Sequence, residues 1–200
     1  DDRRHALVFS GTLRFMSMSI SNPVTSIAPS EARSFIDFEA SGFGGKSYPI
    51  EVGLVLPDGQ TYCSLISPEP DWQHWDDAAQ KVHGVDRSIL ETYGKPAAEV
   101  ASHINTLLQG QTVYTDAWYH DYNWLSRLFD AAESRPSFKL EDLRQLLDEA
   151  HLARWDAAKA QILQEMNITR HRASNDAKVL QQTLLRVLQL AAQDQTLDKA

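Results

Sequence analysis

The sequence predicts an α/β protein built around a mixed sheet. Three β-prone runs, at residues 34–38, 50–56 and 61–67, come first, and helical and strand patterns alternate after them. A chain of 200 residues with 42% hydrophobic residues suits one globular domain. We therefore expect one folded domain over residues 34–195. The polar, Ser-containing residues 1–33 are expected to form a poorly ordered N-terminal extension.

The first three strands follow from short apolar runs and from the breaks between them. The run 34–38 is interrupted by the glycines of residues 42–45. Residues 57–59 (PDG) give a turn signal between the runs 50–56 and 61–67, so these two strands are expected to form a hairpin.

The later elements are predicted from helix start and stop signals. Pro96 is placed to begin a helix, and Gly84 and Gly110 stand just after the expected ends of two helices. Together with the apolar periodicity, these signals predict a short strand at 111–115 and helices at 73–82, 96–109, 119–132, 140–150, 155–166 and 175–192.

Charge and cysteine content exclude several classes of protein. The chain carries 19 Lys and Arg against 27 Asp and Glu, a formal net charge of −8, which argues against a broad basic surface that coats nucleic acid. An enzyme that recruits divalent cations to an acidic site is compatible with this charge. The single cysteine, Cys63, excludes an internal disulfide and a Cys-rich metal centre.

Hydropathy gives no sign of a membrane segment. No apolar run approaches the roughly 18–20 residues that span a bilayer. The apolar stretch 6–9 is shorter than the ~7–15 residues of a signal-peptide core. We therefore expect a cytoplasmic protein with no membrane partner.

Two acidic residues of the first strand are predicted to point the same way. Asp37 and Glu39 are two residues apart, so their side chains leave the strand on one face. The first strand of such a fold is commonly covered on both faces, where adjacent carboxylates repel each other unless a divalent cation binds them. The alternative is a strand end at which both carboxylates reach water.

Two further acids begin the apolar faces of helices. Asp121 shares a face with Leu125, and Asp176 shares a face with Leu180. An acid in the first turn also complements the helix dipole, which is an alternative explanation for its position. Asp116, at the end of the preceding strand, is an alternative to Asp121 as the inward-facing acid of this part of the chain.

One histidine stands close to the last of these acids. His171 precedes Asp176 by five residues, a spacing that places two side chains about 140° apart on a continuous helix. We therefore expect His171 in the loop before the helix. His151 and Asp156 show the same spacing, so the spacing alone identifies no site.

Four inward acids from three segments, with one histidine, predict a metal site. Hard oxygen ligands without cysteine suit Mg²⁺ or Mn²⁺. A carboxylate cage that holds two such ions is a standard device for phosphodiester hydrolysis, and a histidine is a suitable base for the attacking water.

Five segments, taken in order, resemble the DEDDh 3′–5′ exonucleases, the DnaQ-like branch of the ribonuclease H-like superfamily. The segments are 35–42 (FIDFEASG), 49–53 (PIEVG), 83–85 (HGV), 121–125 (DYNWL) and 171–177 (HRASNDA). The resemblance covers residues 34–190, and the ordered pattern is far more specific than any one segment. It implies a ribonuclease H-like α/β fold, with a central mixed five-stranded sheet flanked by helices.

The resemblance also implies a role for each candidate site residue. Asp37 would bridge two metal ions, and Asp121 would support the second of them. Glu39 and Asp176 would bind the ion that holds the attacking water. His171 would take the proton of that water, and the match around it favours this histidine over the rival with the same spacing.

Substrate-binding residues implied by the resemblance follow the first motif. The backbone of Ala40, Ser41 and Gly42 would meet the terminal sugar. Phe43 would stack on a base or lie beside it. His83, in the His-Gly element, would also bind substrate.

The stretch 115–121 (TDAWYHD) departs from the family pattern. Asp116 stands where an Asn is common, and His120 comes directly before Asp121. The departure bears on local geometry and substrate choice, and it removes no metal ligand. Asp116 becomes an additional acid near the site.

The resemblance implies a metal-dependent enzyme that acts on the 3′ end of single-stranded RNA or DNA and releases nucleoside 5′-monophosphates. Two alternatives stay open: a catalytically silent subunit that binds nucleic acid or a polymerase, and a phosphohydrolase of small nucleotides. A homodimer is compatible with the sequence. Trp72 and Trp75, near Pro70, are expected to be the more exposed tryptophans and could offer stacking surfaces.

Overall fold

The five strands form one mixed sheet. The computed structural model describes residues 32–168 and 171–197, so residues 1–31 of the predicted extension 1–33 lie outside the described residues. The order of strands across the sheet is β3-β2-β1-β4-β5. The strands are β1 (Ser34–Ala40), β2 (Pro49–Val55), β3 (Thr61–Leu65), β4 (Thr112–Thr115) and β5 (Lys139–Asp142).

Helices flank this sheet. They are α1 (Asp77–His83), α2 (Arg87–Tyr93), α3 (Ala97–Leu108), α4 (Trp118–Ala131), α5 (Glu149–Met166) and α6 (Ala173–Leu197). Strand β1 pairs antiparallel with β2 and parallel with β4, β2 pairs antiparallel with β3, and β4 pairs parallel with β5. The predicted α/β class and the mixed five-stranded sheet are confirmed.

The central strand β1 sends alternate side chains into two apolar cores. Ile36 belongs to the core that includes buried residues of α3 and α4, whereas Phe35 packs in a second core with Leu180 of α6. Asp37 and Glu39 follow Phe35 by two and four residues, so they lie on the face of β1 that α6 covers. The period of two in the sequence therefore directs these carboxylates toward α6.

A glycine in β2 lets α6 come close to this face. Gly53 lies directly opposite Asp37 in the sheet register. A Cβ atom at Gly53 would overlap the backbone of Ala173 and Ser174, the first residues of α6. Because glycine has no side chain, the start of α6, which carries Asp176, lies against the sheet.

The helix predicted at 140–150 is wrong. Lys139–Asp142 is strand β5, and Leu143–Leu146 is a turn of 3-10 helix. Leu140 and Leu143 serve the two different cores. Because the strand is followed by a tight turn, the first of these leucines points into one core and the second into the other. Tertiary packing therefore overrides the helical spacing of the segment.

Several boundaries also differ from the prediction. The helix predicted from residue 73 begins at Asp77, after the cap that Asp76 provides. Helix α2 was not predicted. Helix α5 begins at Glu149 and not at residue 155, because Asp148 and His151 form a capping box there.

Among the described helices, none combines the length and the apolar character that crossing a membrane requires.

Candidate active site

The acids predicted on β1 and α6 meet at one cavity of about 170 Å³. The cavity is lined by Asp37, Glu39, Asp116, Lys159, His171 and Asp176, together with Phe38 and Leu180. These residues come from β1, α5, α6 and the segments that precede α4 and α6. The fold thus joins parts of the chain that lie more than a hundred residues apart.

Three of these side chains form a compact group. One oxygen or nitrogen atom from each of Glu39, His171 and Asp176 lies within 4.8 Å of the other two. His171 stands in the loop before α6, as expected, and its backbone N–H donates to the Asp176 carboxylate at 2.7 Å. Its φ of 61° lies in the left-handed region, which residues with a side chain adopt uncommonly.

Asp37 and Asp121 lie outside this three-residue group but interact with it electrostatically. Burial, followed by the charges of Asp121, Glu39 and Asp176, raises the pKa of Asp37 well above its ordinary value. Asp121 is only 1% exposed and accepts a hydrogen bond from the hydroxyl of Thr115. Burial raises the pKa of Asp121 to about 8.

This crowding of carboxylates fits divalent cations. Each negative charge raises the cost of ionising its neighbours, and a bound cation relieves that cost. The compact group offers carboxylate oxygens and one imidazole nitrogen, and such donors can hold a divalent cation. The four acids of the predicted set, Asp37, Glu39, Asp121 and Asp176, are therefore suitable metal ligands.

Lys159 of α5 is a cavity residue that the sequence did not indicate. Its Nζ atom lies 2.9 Å from the carboxylate of Asp116. Among the described residues that line the cavity, it is the single Lys or Arg. Lys159 lies in an alanine-rich stretch 43 residues from Asp116, so no local spacing could have connected the two.

His151, the other histidine that precedes an aspartate by five residues, caps a helix. His151 is the third residue of α5, where its backbone N–H donates to the Asp148 carboxylate at 2.8 Å. Its ring completes the capping box. The cavity beside Asp37 is lined by His171 and not by His151.

The residues after β1 form a tight turn. Ser41 donates its backbone N–H to the carbonyl of Tyr48 at 2.9 Å, and its own carbonyl accepts from the N–H of Asp76 at 2.8 Å. The Ser41 hydroxyl accepts from the Tyr48 N–H and contacts His74 Nδ1, each at 3.1 Å. Ser41 therefore shapes the turn, and Ala40 before it is buried at the end of β1.

Gly42 and Phe43 complete this turn. Gly42 has a φ of 139°, and a Cβ atom there would press against Asp76 and His74, so only glycine fits. Phe43 is 68% exposed. Its ring lies 5.1 Å from that of His120, edge to face. The turn thus presents an aromatic surface next to the start of α4.

His83 is buried with one nitrogen unsatisfied. Its Nδ1 accepts the N–H of Val85 at 3.1 Å, so the neutral ring carries its proton on Nε2. Nε2 is the single buried side-chain polar atom among the described residues that has no hydrogen-bond partner. Burial lowers the pKa of His83 and so favours this neutral ring. A buried N–H without an acceptor is costly, and it suits a donor for a ligand oxygen.

The predicted exposure of Trp72 is wrong. Trp72 is 3% exposed and stacks on Tyr48, with the Arg127 guanidinium 5.7 Å from its ring. Trp75, the other tryptophan expected to be exposed, is half-buried against the core. Trp118 is exposed and stacks on Tyr122, with 5.1 Å between the ring centroids. The nearby Pro70 suggested a loop position for Trp72, whereas its large apolar ring is enclosed by the core.

A second cavity of about 810 Å³ runs along α4. Its aromatic lining comes from Trp72, Tyr119, His120 and Trp124. The ring of His120 stacks on that of Trp124 at 5.7 Å. Aromatic rings thus continue from the exposed Phe43 into this cavity.

Comparison with known proteins supports the fold. No protein-family model and no curated protein matches the chain. Among solved structures, Escherichia coli exonuclease I in complex with a dA16 oligonucleotide aligns with a TM-score of 0.58 at 14% identity, over 78% of this chain and 41% of that chain. The moderately thermophilic exonuclease I from Methylocaldum szegediense gives a TM-score of 0.59 at 16% identity, over 78% of this chain and 40% of that one.

A third match is the zinc-bound complex of E. coli exonuclease I with single-stranded DNA. It has a TM-score of 0.58 at 14% identity and covers 80% of this chain and 42% of that chain. The chain thus spans about two fifths of the length of the exonuclease I chains it matches. These similarities confirm the ribonuclease H-like fold that the sequence resemblance implied.

Proposed function

We propose that the chain is a DEDDh-type 3′–5′ exonuclease. It hydrolyses the terminal phosphodiester bond of single-stranded nucleic acid and releases a nucleoside 5′-monophosphate, with residues 34–195 as the exonuclease domain. One observation carries the proposal: the five side chains predicted from separate segments cluster in a fold that is similar to exonuclease I. These side chains are Asp37, Glu39, Asp121, His171 and Asp176.

The carboxylates would hold two divalent cations, Mg²⁺ or Mn²⁺. When bound, such ions supply a water nucleophile at neutral pH and stabilise the charge of the leaving oxygen. The charges of Asp121 and Glu39 both raise the pKa of Asp37. A carboxylate that interacts with acids from two separate elements suits a ligand for both ions.

His171 is the proposed proton acceptor. One ring nitrogen of His171 lies within 4.8 Å of carboxylate oxygens of Glu39 and Asp176. A neutral imidazole there can take a proton from a water molecule and return it to solvent. Its backbone hydrogen bond to Asp176 holds the base in a fixed place beside the metal ligands.

The aromatic turn and the buried histidine would bind the terminal nucleotide. Phe43 is exposed beside His120, so a base can stack on this pair. The Nε2–H of His83 would donate to an oxygen of the sugar or phosphate, which would satisfy its missing hydrogen bond. The turn at Ser41 and Gly42 would hold these groups in place.

Phe43→Ala tests the stacking surface. Stacking of one base on an aromatic side chain contributes about 1–3 kcal/mol, so KM should rise roughly fivefold to a hundredfold while kcat changes little. Steady-state kinetics on a single-stranded oligonucleotide measures both constants. Tyr93→Ala, at another aromatic residue that is 72% exposed, is the matched control. Equal KM values for the Phe43 variant and the wild type would refute the stacking role.

Lys159→Gln tests the cation in the cavity. Its ammonium opposes metal ions and attracts phosphate, so its removal should tighten Mn²⁺ binding and raise KM, each by about fivefold or less for a partly exposed charge. Isothermal titration with Mn²⁺ and steady-state kinetics measure the two effects. Lys178→Gln, at an exposed lysine of α6, is the control. Weaker Mn²⁺ binding with an unchanged KM would contradict this account.

Substrate length separates the proposed activity from the alternatives. The protein should cleave an oligonucleotide stepwise from the 3′ end in the presence of Mn²⁺, and it should not hydrolyse a free nucleotide. Faster hydrolysis of a nucleoside triphosphate than of any oligonucleotide would indicate a small-nucleotide phosphohydrolase. Binding of an oligonucleotide without cleavage of any substrate would indicate a silent subunit.

A further inference from the structure

We propose that Glu51 and Arg172 form a positioning pair that fixes His171 in the place where it accepts a proton. The inference rests on the proposed exonuclease function and deepens it. It assigns a task to two side chains that line neither cavity beside the site. Glu51 acts through its partner and touches no reacting atom.

The pair is built on a completely buried carboxylate. Glu51 is 0% exposed, and Arg172 Nε lies 3.1 Å from each of its two carboxylate oxygens. A second guanidinium nitrogen of Arg172 donates to Oε1 at 2.9 Å. The thiol of Cys63 donates to the same oxygen at 2.6 Å. The two planar groups are therefore locked in one relative orientation.

This pair attaches the His171 loop to the sheet. Glu51 lies in β2, between β1 and β3, and faces Glu39 in the register with β1. Arg172 is the next residue after His171. The histidine is therefore one residue away from a side chain that is fixed to the strand beside Glu39.

The backbone at His171 is in an uncommon conformation that contacts from neighbouring residues support. His171 adopts a left-handed φ of 61°, which is unfavourable for a residue with a side chain. On one side it is held by the N–H bond to Asp176, and on the other by the adjacent Arg172. The close contact of Gly53 with the start of α6 completes the support from β2.

A purely stabilising role explains the pair less well. The Arg172 side chain is 45% exposed, so its guanidinium could be hydrated without the pair. Burial of a carboxylate to meet a half-exposed arginine gives little net stability, because the desolvation cost offsets the attraction. The bidentate contact does, however, fix the position of His171, the residue before Arg172.

A double-mutant cycle tests the inference. Glu51→Gln should lower kcat by about tenfold to a hundredfold with KM and the Mn²⁺ dissociation constant within twofold of wild type. In the His171→Ala background, the same substitution should change the residual kcat by less than twofold, because its effect passes through the histidine. Arg172→Lys keeps the charge but loses the planar fork, so it should lower kcat less than Glu51→Gln does.

Hydrogen exchange provides a readout that does not need activity. Amide exchange over residues 171–174 should be faster in Glu51→Gln than in wild type, at equal circular dichroism and a similar melting temperature. Arg186→Gln is the control, because it removes the ion pair between Arg186 and Glu165, which links α6 to α5 on the surface. This control should leave kcat and the exchange over 171–174 unchanged.

Three results would overturn the positioning role. The first is an unchanged kcat in Glu51→Gln. The second is a decrease of kcat by the same factor when Glu51→Gln is made in the wild type and in His171→Ala. The third is a loss of Mn²⁺ affinity as large as the loss of kcat. The last result would mean that the pair acts on the metal ligands. If wild-type protein cleaves no oligonucleotide with any metal, the proposed function fails. Exchange over 171–174 then decides whether the pair holds the loop.

Discussion

Asp121→Asn is expected to abolish metal-dependent cleavage and to stabilise the metal-free protein. The Asp121 carboxyl group is almost fully buried, and burial raises its pKa to about 8. Asparagine keeps an oxygen that can accept from the Thr115 hydroxyl, and it carries no charge. We expect the free energy of unfolding at pH 7 to rise by about 2 kcal/mol, which allows for relaxation around the buried group.

The pH dependence of this effect has a definite sign. Between about pH 4 and pH 8, folded Asp121 holds a proton that the unfolded chain has released, so the stability of the metal-free wild type falls as pH rises. The loss levels off above the folded pKa of about 8. Asp121→Asn lacks this contribution, so its advantage should be smallest near pH 4 and largest at pH 8 and above.

Urea unfolding in EDTA at pH 4.5, 7 and 8.5 measures the effect. Asp130→Asn, at an exposed acid of the same helix, is the control and should change stability by less than about 0.5 kcal/mol. A less stable Asp121→Asn protein at pH 8.5 would contradict the electrostatic account. Retained metal-dependent cleavage would contradict the metal-binding role of Asp121.

His171→Ala is expected to lower kcat by about a hundredfold to ten-thousandfold. The imidazole is the proposed proton acceptor, and the carboxylates around it stay in place. Affinity for Mn²⁺ and KM should therefore stay within about threefold of wild type. Pre-steady-state cleavage and Mn²⁺ titration measure these quantities.

His151→Ala is the matched control for this experiment. His151 stands five residues before Asp156, as His171 stands before Asp176, but it caps α5. Its removal should cost some stability and leave kcat within twofold of wild type. Loss of Mn²⁺ binding in His171→Ala would identify that histidine as a metal ligand and would refute its role as the base.

The sequence indicated the acids of the site because local periodicity determines the face on which each side chain lies. Asp37 and Glu39 share a strand face by the period of two, and the face covered by α6 is the one on which they lie. Asp121 follows the helical period, and it is buried on the same face as Leu125. The resemblance of five ordered motifs to a known family then favoured His171 as the histidine of the site and implied the five-stranded sheet.

Contacts between distant segments could not be found in this way. Lys159 meets Asp116 across 43 residues, and Arg172 meets Glu51 across 121 residues. Neither contact leaves a local pattern in the sequence. The same limit explains the wrong helix at 140–150, where pairing with β4 and two separate cores decided the structure.

A cleavage time course on 5′-labelled single-stranded RNA and DNA oligonucleotides tests the central claim most directly. Wild-type protein would be compared with Asp37→Ala and His171→Ala in Mn²⁺, Mg²⁺ or EDTA. We predict a ladder of products that shortens from the 3′ end, requires the metal and is lost in both variants. Oligonucleotides that stay intact under every metal condition, or a ladder that is unchanged in the two variants, would contradict the proposed exonuclease site.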